Sequence, residues 1–485
     1  MAYVLTNKAH YSNIANAIRT KLGTSNTYKP SEMAPAILNI SGGGGSSVQP
    51  PYVKEVVDST GRPTDVEIVG YPYIRANMYA NCSTLNTISI QGNTAMIGLS
   101  AFRNCKNVVA CNMPNTITRV YNNAFCSCPN MLLGSLPEEL DAISAHAFMG
   151  CNNISIAALP NKLTTIGDYA FSGCHYISIN ALPDSLEASP REGAFQHCWA
   201  IQNMHIPVNI TALSNSLFTF CYGLTTVTFD APLMRVGTNT FSDCSNLTVL
   251  QSNNGVLNSI DAYAFNGCSN LISVAMSPDI TTINSYAFNG CSNLQLAALP
   301  NSITTLGAWA FSGCSSITAS TLPPNLATLQ TGLFAECSNI TITQIPNKCI
   351  SVGTSTFLNC VNINITALPD DMSSIYANAF MGSGVNLTNL PIKINRINQQ
   401  TFRNCPKLTT FTLHSNISRI DANAFSDCST LSTVVFERSS CNIAGTAFSN
   451  CANLTNICVP WSQDAVSGAP WGATNATITY NYTGG

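Results

Sequence analysis

Apolar positions in this chain recur over a long period of 22 to 24 residues, superimposed on short local patterns. The clearest marker is an aromatic that starts at Tyr79 and Phe102 and returns 17 times in all, ending at Phe425 and Phe448. A strict long period means stacked, similar coils, each burying its apolar edge against the next. One clean repeat runs from Cys268 to Cys291. Leu271, Val274 and Met276 include the i, i+2 spacing of a short strand. Ile280 and Ile283 form a second inward edge. The segment Ala287-Phe288-Asn289-Gly290-Cys291 predicts a helical or 3-10 turn, with Phe and Cys both inward. The predicted fold class is therefore a solenoid of about 17 turns, built from short parallel strands and short helical or 3-10 turns.

A second form of the repeat shifts one apolar position and ends in Leu-Pro, as in Ile154-Ser155-Ile156-Ala157-Ala158-Leu159-Pro160 and in residues 363–369. Its proline is expected to mark the end of the strand. At Phe380 the repeat is least regular: Ser383 replaces Cys and the next step shortens to 22, which predicts a local kink.

The ends break the period. In residues 1–40, Tyr11, Ile14 and Ile18 recur at helical spacing, and a second short helix is expected through Met33. Forty residues rarely fold alone, so this small helical attachment module is expected to dock on a partner or on copies of itself. A Gly/Ser linker spans 41–49, an N-terminal cap with the first repeat 50–81, the solenoid 82–460, and a C-terminal cap 461–485 containing Trp461 and Trp471.

Composition narrows the function. Charged residues make up only 9% of the chain, so the surface is Ser, Thr and Asn. The net charge is −3, with no basic stripe, which argues against nucleic acid. No run of apolar residues is long enough to enter a membrane, and Met1–Lys8 lacks the core of an export signal. Sixteen of the 21 cysteines share one repeat position. Coils about 4.8 Å apart put neighbouring Cβ atoms beyond the roughly 3.8 Å a disulfide prefers. Reduced thiols acting as small buried hydrophobes are expected. Cys126-Ser127-Cys128 lacks zinc-finger spacing, so no metal or other cofactor is expected. Neither a Ser-His-Asp set nor a glycine-rich phosphate loop stands out, and Glu138 with Glu139 reads as a solvated turn. The chain is not expected to be an enzyme.

Two rows of aromatics are the candidate ligand-binding residues. After the column Cys the chain usually writes Ser-Asn, but three successive turns place His175 and Tyr176, Trp199, and Tyr222 there. Stacking predicts one patch about 10 Å long, suited to sugar or protein contacts. Tyr263, Tyr286 and Trp309 form a second row two residues before Phe, and for both rows a purely stabilising ladder is the competing reading.

The motif Ile166-Gly167-Asp168-Tyr169-Ala170-Phe171-Ser172-Gly173-Cys174 resembles leucine-rich repeats of the BspA-like surface-antigen type, over roughly residues 74–460. The resemblance implies a curved right-handed solenoid used for adhesion, without catalysis. Residues 11–19 and 28–34 resemble the start of tail-associated proteins of bacteriophages of Gram-positive hosts, and residues 469–476 a terminus found on such repeat proteins. That second resemblance implies a virion tail protein made in the host cytoplasm. Residues 1–40, through Tyr11, Ile14, Ile18 and Met33, would attach to other tail proteins, and the solenoid would bind a host-surface glycan or protein. A structural baseplate component and a bacterial surface adhesin are the alternatives.

Overall fold

The structure is a computed structural model and describes residues 51–483 apart from 231–232, 253–256 and 466. The expected helical module with Tyr11, Ile14, Ile18 and Met33, and the linker over 41–49, lie outside the described residues. The chain divides into two units, one ending at Ile201 and one beginning at Gln202.

In the first unit, Tyr52–Val57 pairs antiparallel with Pro63–Val69. Parallel pairing then continues to Thr87–Gln91 and Ala110–Asn112. A second sheet is made of five two-residue strands, from Tyr73–Ile74 to Thr165–Ile166, joined in coil order. The second unit repeats the scheme. Asn203–Ile206, Thr226–Phe229 and Val249–Ser252 form one longer-stranded sheet. Thr410–Leu413, Thr433–Phe436, Asn456–Cys458 and Thr477–Thr479 form another. Two-residue strands again run beside them.

The third side of each coil carries the Phe and differs from the expected helical turn. Among the described residues the one helical element is the 3-10 turn Gln463–Ala465. The Phe segments are chains of turns instead, with positive φ two residues before and two residues after the ring. Around Phe288 these are Tyr286 (59°) and Gly290 (74°). The N–H groups of Tyr286, Phe288 and Gly290 donate to Ala308, Ala310 and Ser312 of the next coil at 2.9, 2.8 and 2.8 Å. A helix would bond these groups within itself. Alternate left-handed residues turn them toward the neighbouring coil, which is why Asn and Gly, the residues that tolerate that conformation, recur at both positions.

The rings form a buried column in each unit, from Tyr79 to Phe195 and from Phe218 to Phe448. Neighbouring centroids lie as close as 5.3 Å at Phe102–Phe125 and as far apart as 5.9 Å at Phe334–Phe357, with nearly parallel planes. The column thiols are buried beside them and do more than fill space. Cys128 donates its S–H to the carbonyl of Phe102 at 3.1 Å, Cys291 to Phe265 at 3.1 Å, and Cys428 to Phe402 at 3.0 Å. Each thiol thus ties its own coil to the Phe of the preceding one.

Strands form in only some of the coils. Where the second buried residue is Val227, six positions after Cys221, or Val434, six after Cys428, a strand forms. The expected strand over Leu271, Val274 and Met276 is instead reduced to isolated bridges at Ser273 and Met276, although Val274 is also buried six positions after Cys268. Where it lies five positions after, as with Ile156, Ile179, Ile342 and Ile365, the residues stay buried but no strand forms. From +5 to the next buried position at +8 is three steps, which the two-residue alternation of a pleated strand cannot accommodate. Pro207 directly follows the strand Asn203–Ile206, so a proline at +9 is compatible with pairing. In the Leu-Pro repeats the expected strand end is not found, because no strand precedes Pro160 or Pro369.

At Ser383 one residue is missing before Val385. The ring column passes through with spacings of 5.6 and 5.7 Å and tilts of 10° and 3°, so no kink enters it. Lys407 compensates: its Nζ reaches back two coils to the carbonyl of Ile363 at 3.0 Å, next to Gly384.

Candidate functional site

The Asn that often stands two residues after the column Cys proves to be a structural device. In several coils this Asn donates its side-chain amide to the carbonyl one residue after Cys in the preceding coil, while Asn270 and Asn293 donate theirs to the preceding Asn side chain. Asn107 reaches Ser83 at 2.7 Å, Asn130 reaches Lys106 at 2.9 Å, and Asn362 reaches Ser338 at 2.9 Å. Thr430 does the same to Pro406 at 2.9 Å. The recurrence of Asn was the signal for this row, which sequence reasoning took only as background.

Two consecutive coils of the first unit lack that amide, because Tyr176 and Ala200 occupy its position. There His175 and Trp199 stack face to face, with centroids 3.7 Å apart and planes 4° apart. The Ala200 N–H donates to the His175 carbonyl at 3.0 Å. Tyr176 is 59% exposed and Trp199 44%. Burial, and then the neighbouring His197, hold the His175 imidazole below its ordinary pKa, so near neutral pH the ring stacks uncharged. The surface is thus an uncharged, half-exposed aromatic ledge on a coil edge. Tyr222, expected in the same patch, belongs to the second unit. It is exposed there, its ring tilted against Phe220 at 6.2 Å and 56°. Phe220 has positive φ (59°) and was not singled out from the sequence.

The second aromatic row is continuous within its unit. Tyr263 and Tyr286 stack at 4.7 Å and 4°, and Tyr286 and Trp309 at 6.3 Å and 15°. The Trp309 ring then lies over Gly332, where a Cβ would strike it. Both faces of Tyr286 are therefore used by its neighbours, leaving edges and hydroxyls for any ligand. The first unit holds a matching row missed in the sequence: His146 stacks on Tyr169 at 5.5 Å, and Tyr169 covers Gly193. A direct consequence concerns Gly332, whose φ is +63°. Gly332→Ala meets both left-handed strain and the Trp309 ring, and should destabilise the protein by about 1–2 kcal/mol in urea unfolding.

Other groups are explained by pairing. Glu139 bonds Lys162 at 2.5 Å. His205 lies between Thr228 Oγ1 (3.1 Å) and Asp230 Oδ2 (3.0 Å). This alignment was not anticipated, and it arises because His205 and Thr228 are directly opposed in parallel strands. Among the described residues, no three His, Cys, Asp or Glu side chains gather to hold a metal ion. No helix among them is long and apolar enough to cross a membrane.

A model of the BspA type leucine rich repeat region matches residues 72–192, 133–248, 188–294, 258–386 and 351–468. Among solved structures, the chain is similar to a leucine-rich repeat protein from Bacteroides ovatus, at 20% identity over 89% of this chain and 98% of that one, with a TM-score of 0.49. It is also similar to a leucine rich cell surface protein from Faecalibacterium prausnitzii, at 19% identity over 87% and 99%, TM-score 0.32. A leucine-rich repeat protein from Eubacterium ventriosum matches at 18% identity over 54% and 92%, TM-score 0.32. No curated protein matches the chain. The matched segments overlap and run from residue 72 to residue 468, through the coils of both units, and the chain belongs to the BspA-type leucine-rich repeat family.

Proposed function

We propose that the chain is a non-enzymatic adhesion protein whose repeats bind a glycan or protein on a bacterial surface, with residues 1–40 attaching it to its carrier. The observation that carries this reading is the ledge of His175, Tyr176 and Trp199. It stands where two adjacent coils give up a stabilising amide bond for exposed aromatics. A departure from a locally consistent pattern is where function is expected, and Tyr and Trp are strong anchors when a partner covers them. The carrier that fits the first 40 residues is a bacteriophage tail, with Tyr11, Ile14, Ile18 and Met33 at the attachment. The family and the name of the Faecalibacterium protein favour a second carrier, the bacterial cell surface itself.

Labelled full-length chain incubated with Gram-positive cells should lose about tenfold in adsorption on Tyr176→Ser with Trp199→Ser. Unaltered circular dichroism would show intact coils. Undiminished adsorption by a folded variant would remove the ledge from the reading. Antibody against the chain, applied to virions and to intact bacteria, separates the two carriers.

A further inference from the structure

Two pairs of coils whose apolar step is five rather than six share a second feature. In the first unit, the chain around Leu136-Pro137 and Leu159-Pro160 has left the strand ladder. On this side of the coil a single backbone bond links each such coil to the one before: Ser155 N–H to the Leu133 carbonyl at 2.9 Å, and Ser178 N–H to the Ile156 carbonyl at 2.9 Å. Beyond that bond a groove of about 650 Å³ opens. Its floor is Leu136, Leu159 and Pro160, and its rim is Asn115, Ser135 and Asn161. In the second unit, a groove of about 210 Å³ opens at the same repeat position. Its floor is Leu322, Ile345 and Pro346, and its rim is Thr343, Gln344 and Asn347.

We infer that these Leu-Pro grooves are binding sites for neutral saccharides, distinct from the aromatic ledge. The shared lining carries the argument. Both floors present Leu or Ile beside Pro, a surface for the C–H face of a sugar ring. Both rims present amides and hydroxyls, groups that donate and accept at once, as sugar hydroxyls require. The second groove has no charged residue in its lining. In the first, Glu139 and Lys162 form an ion pair, and Glu138 adds one further carboxylate to the lining. A charged ligand is therefore not what the two have in common. An extended peptide is the poorer fit, because it binds by adding to a free sheet edge. The segments that line these grooves form no strand, so they offer no sheet edge to extend. The larger volume is within the ordinary range of small-molecule sites, and the smaller one lies below it.

The exposed wall residues allow a test that leaves the core untouched. Ala158 and Thr343 are both exposed, so Ala158→Trp and Thr343→Trp fill the grooves without entering the ring column. Saturation-transfer NMR on the full chain would use soluble oligomers of glucose, galactose, mannose and N-acetylglucosamine, with a Ser/Thr-rich pentapeptide alongside. At least one oligomer should show transfer, reduced about fivefold or more in the double variant and partly in each single one, at an unchanged melting temperature. No transfer to any oligomer would overturn the proposal. So would transfer that the double variant leaves intact, or transfer confined to the peptide. The same filled variants should keep the cell adsorption that Trp199→Ser removes, so the two readings fail independently.

Discussion

Raising the pH from about 8 to about 11 under reducing conditions should unfold the coils steeply, because the folded state holds its thiols protonated. An ordinary Cys ionises near pH 8.5, and in the unfolded chain the column cysteines do so. In the folded chain, burial pushes Cys337 and Cys405 up to about 12, and Cys244, Cys268, Cys291 and Cys314 well above their ordinary value. The sign follows. Above about pH 8.5 the unfolded state binds fewer protons than the native one, so stability falls as pH rises. The contribution is complete below that pH and disappears through the window up to the folded values. Each thiol removes about 1.4 kcal/mol per pH unit in that window. Five neighbouring coils opening together, from Cys244 to Cys337, would lose about 7 kcal/mol per pH unit, against the roughly 5–15 kcal/mol that holds an ordinary domain. Circular dichroism against pH, with a Cys291→Ala comparison, checks this. The variant should start less stable, having lost its bond to the Phe265 carbonyl, yet show a shallower alkaline slope. An alkaline slope indifferent to the number of thiols would remove the linkage.

The stack was legible because period is a global property. Phe at 23-residue spacing cannot satisfy its burial except coil over coil, and the thiols followed from the same register. The route of the chain within one coil was harder to read. Phe288 and Cys291, three apart, look helical, and only backbone torsions distinguish that from the left-handed alternation observed. The cue was present as Asn77, Asn104, Gly173 and Gly290 at the flanking positions. Proline drew attention at Leu-Pro, although no strand precedes Pro160 or Pro369 and one does run up to Pro207. The candidate surface was legible in part for a similar reason. Register alone brings His175 to Trp199, whereas the pairing of Tyr222 with Phe220 depends on local torsion. The Asn row looked like filler because a surface amide carries no apolar signal, yet its hydrogen bonds are what make its loss at Tyr176 and Ala200 informative.

Phe288→Ala should destabilise the second unit by about 3–5 kcal/mol in denaturant unfolding. The side chain is fully buried, with Phe265 at 5.3 Å on one side and Phe311 at 5.4 Å on the other. Removing it leaves both neighbours facing a void that the coil backbone cannot close, since Tyr286, Phe288 and Gly290 remain bonded to the next coil. A coil touches only its neighbours, so damage in such a stack stays local in contact but propagates by uncoupling what lies on either side. Hydrogen exchange should therefore show protection lost first in the coils of Phe265, Phe288 and Phe311, and kept in the first unit. Tyr263→Ala provides the contrast: its ring is 37% exposed and stacks on one partner, Tyr286, so about 1 kcal/mol is expected. Equal losses from the two substitutions would mean that the inner column is no more important than the outer ladder. The assignment of stability chiefly to the core would then fail.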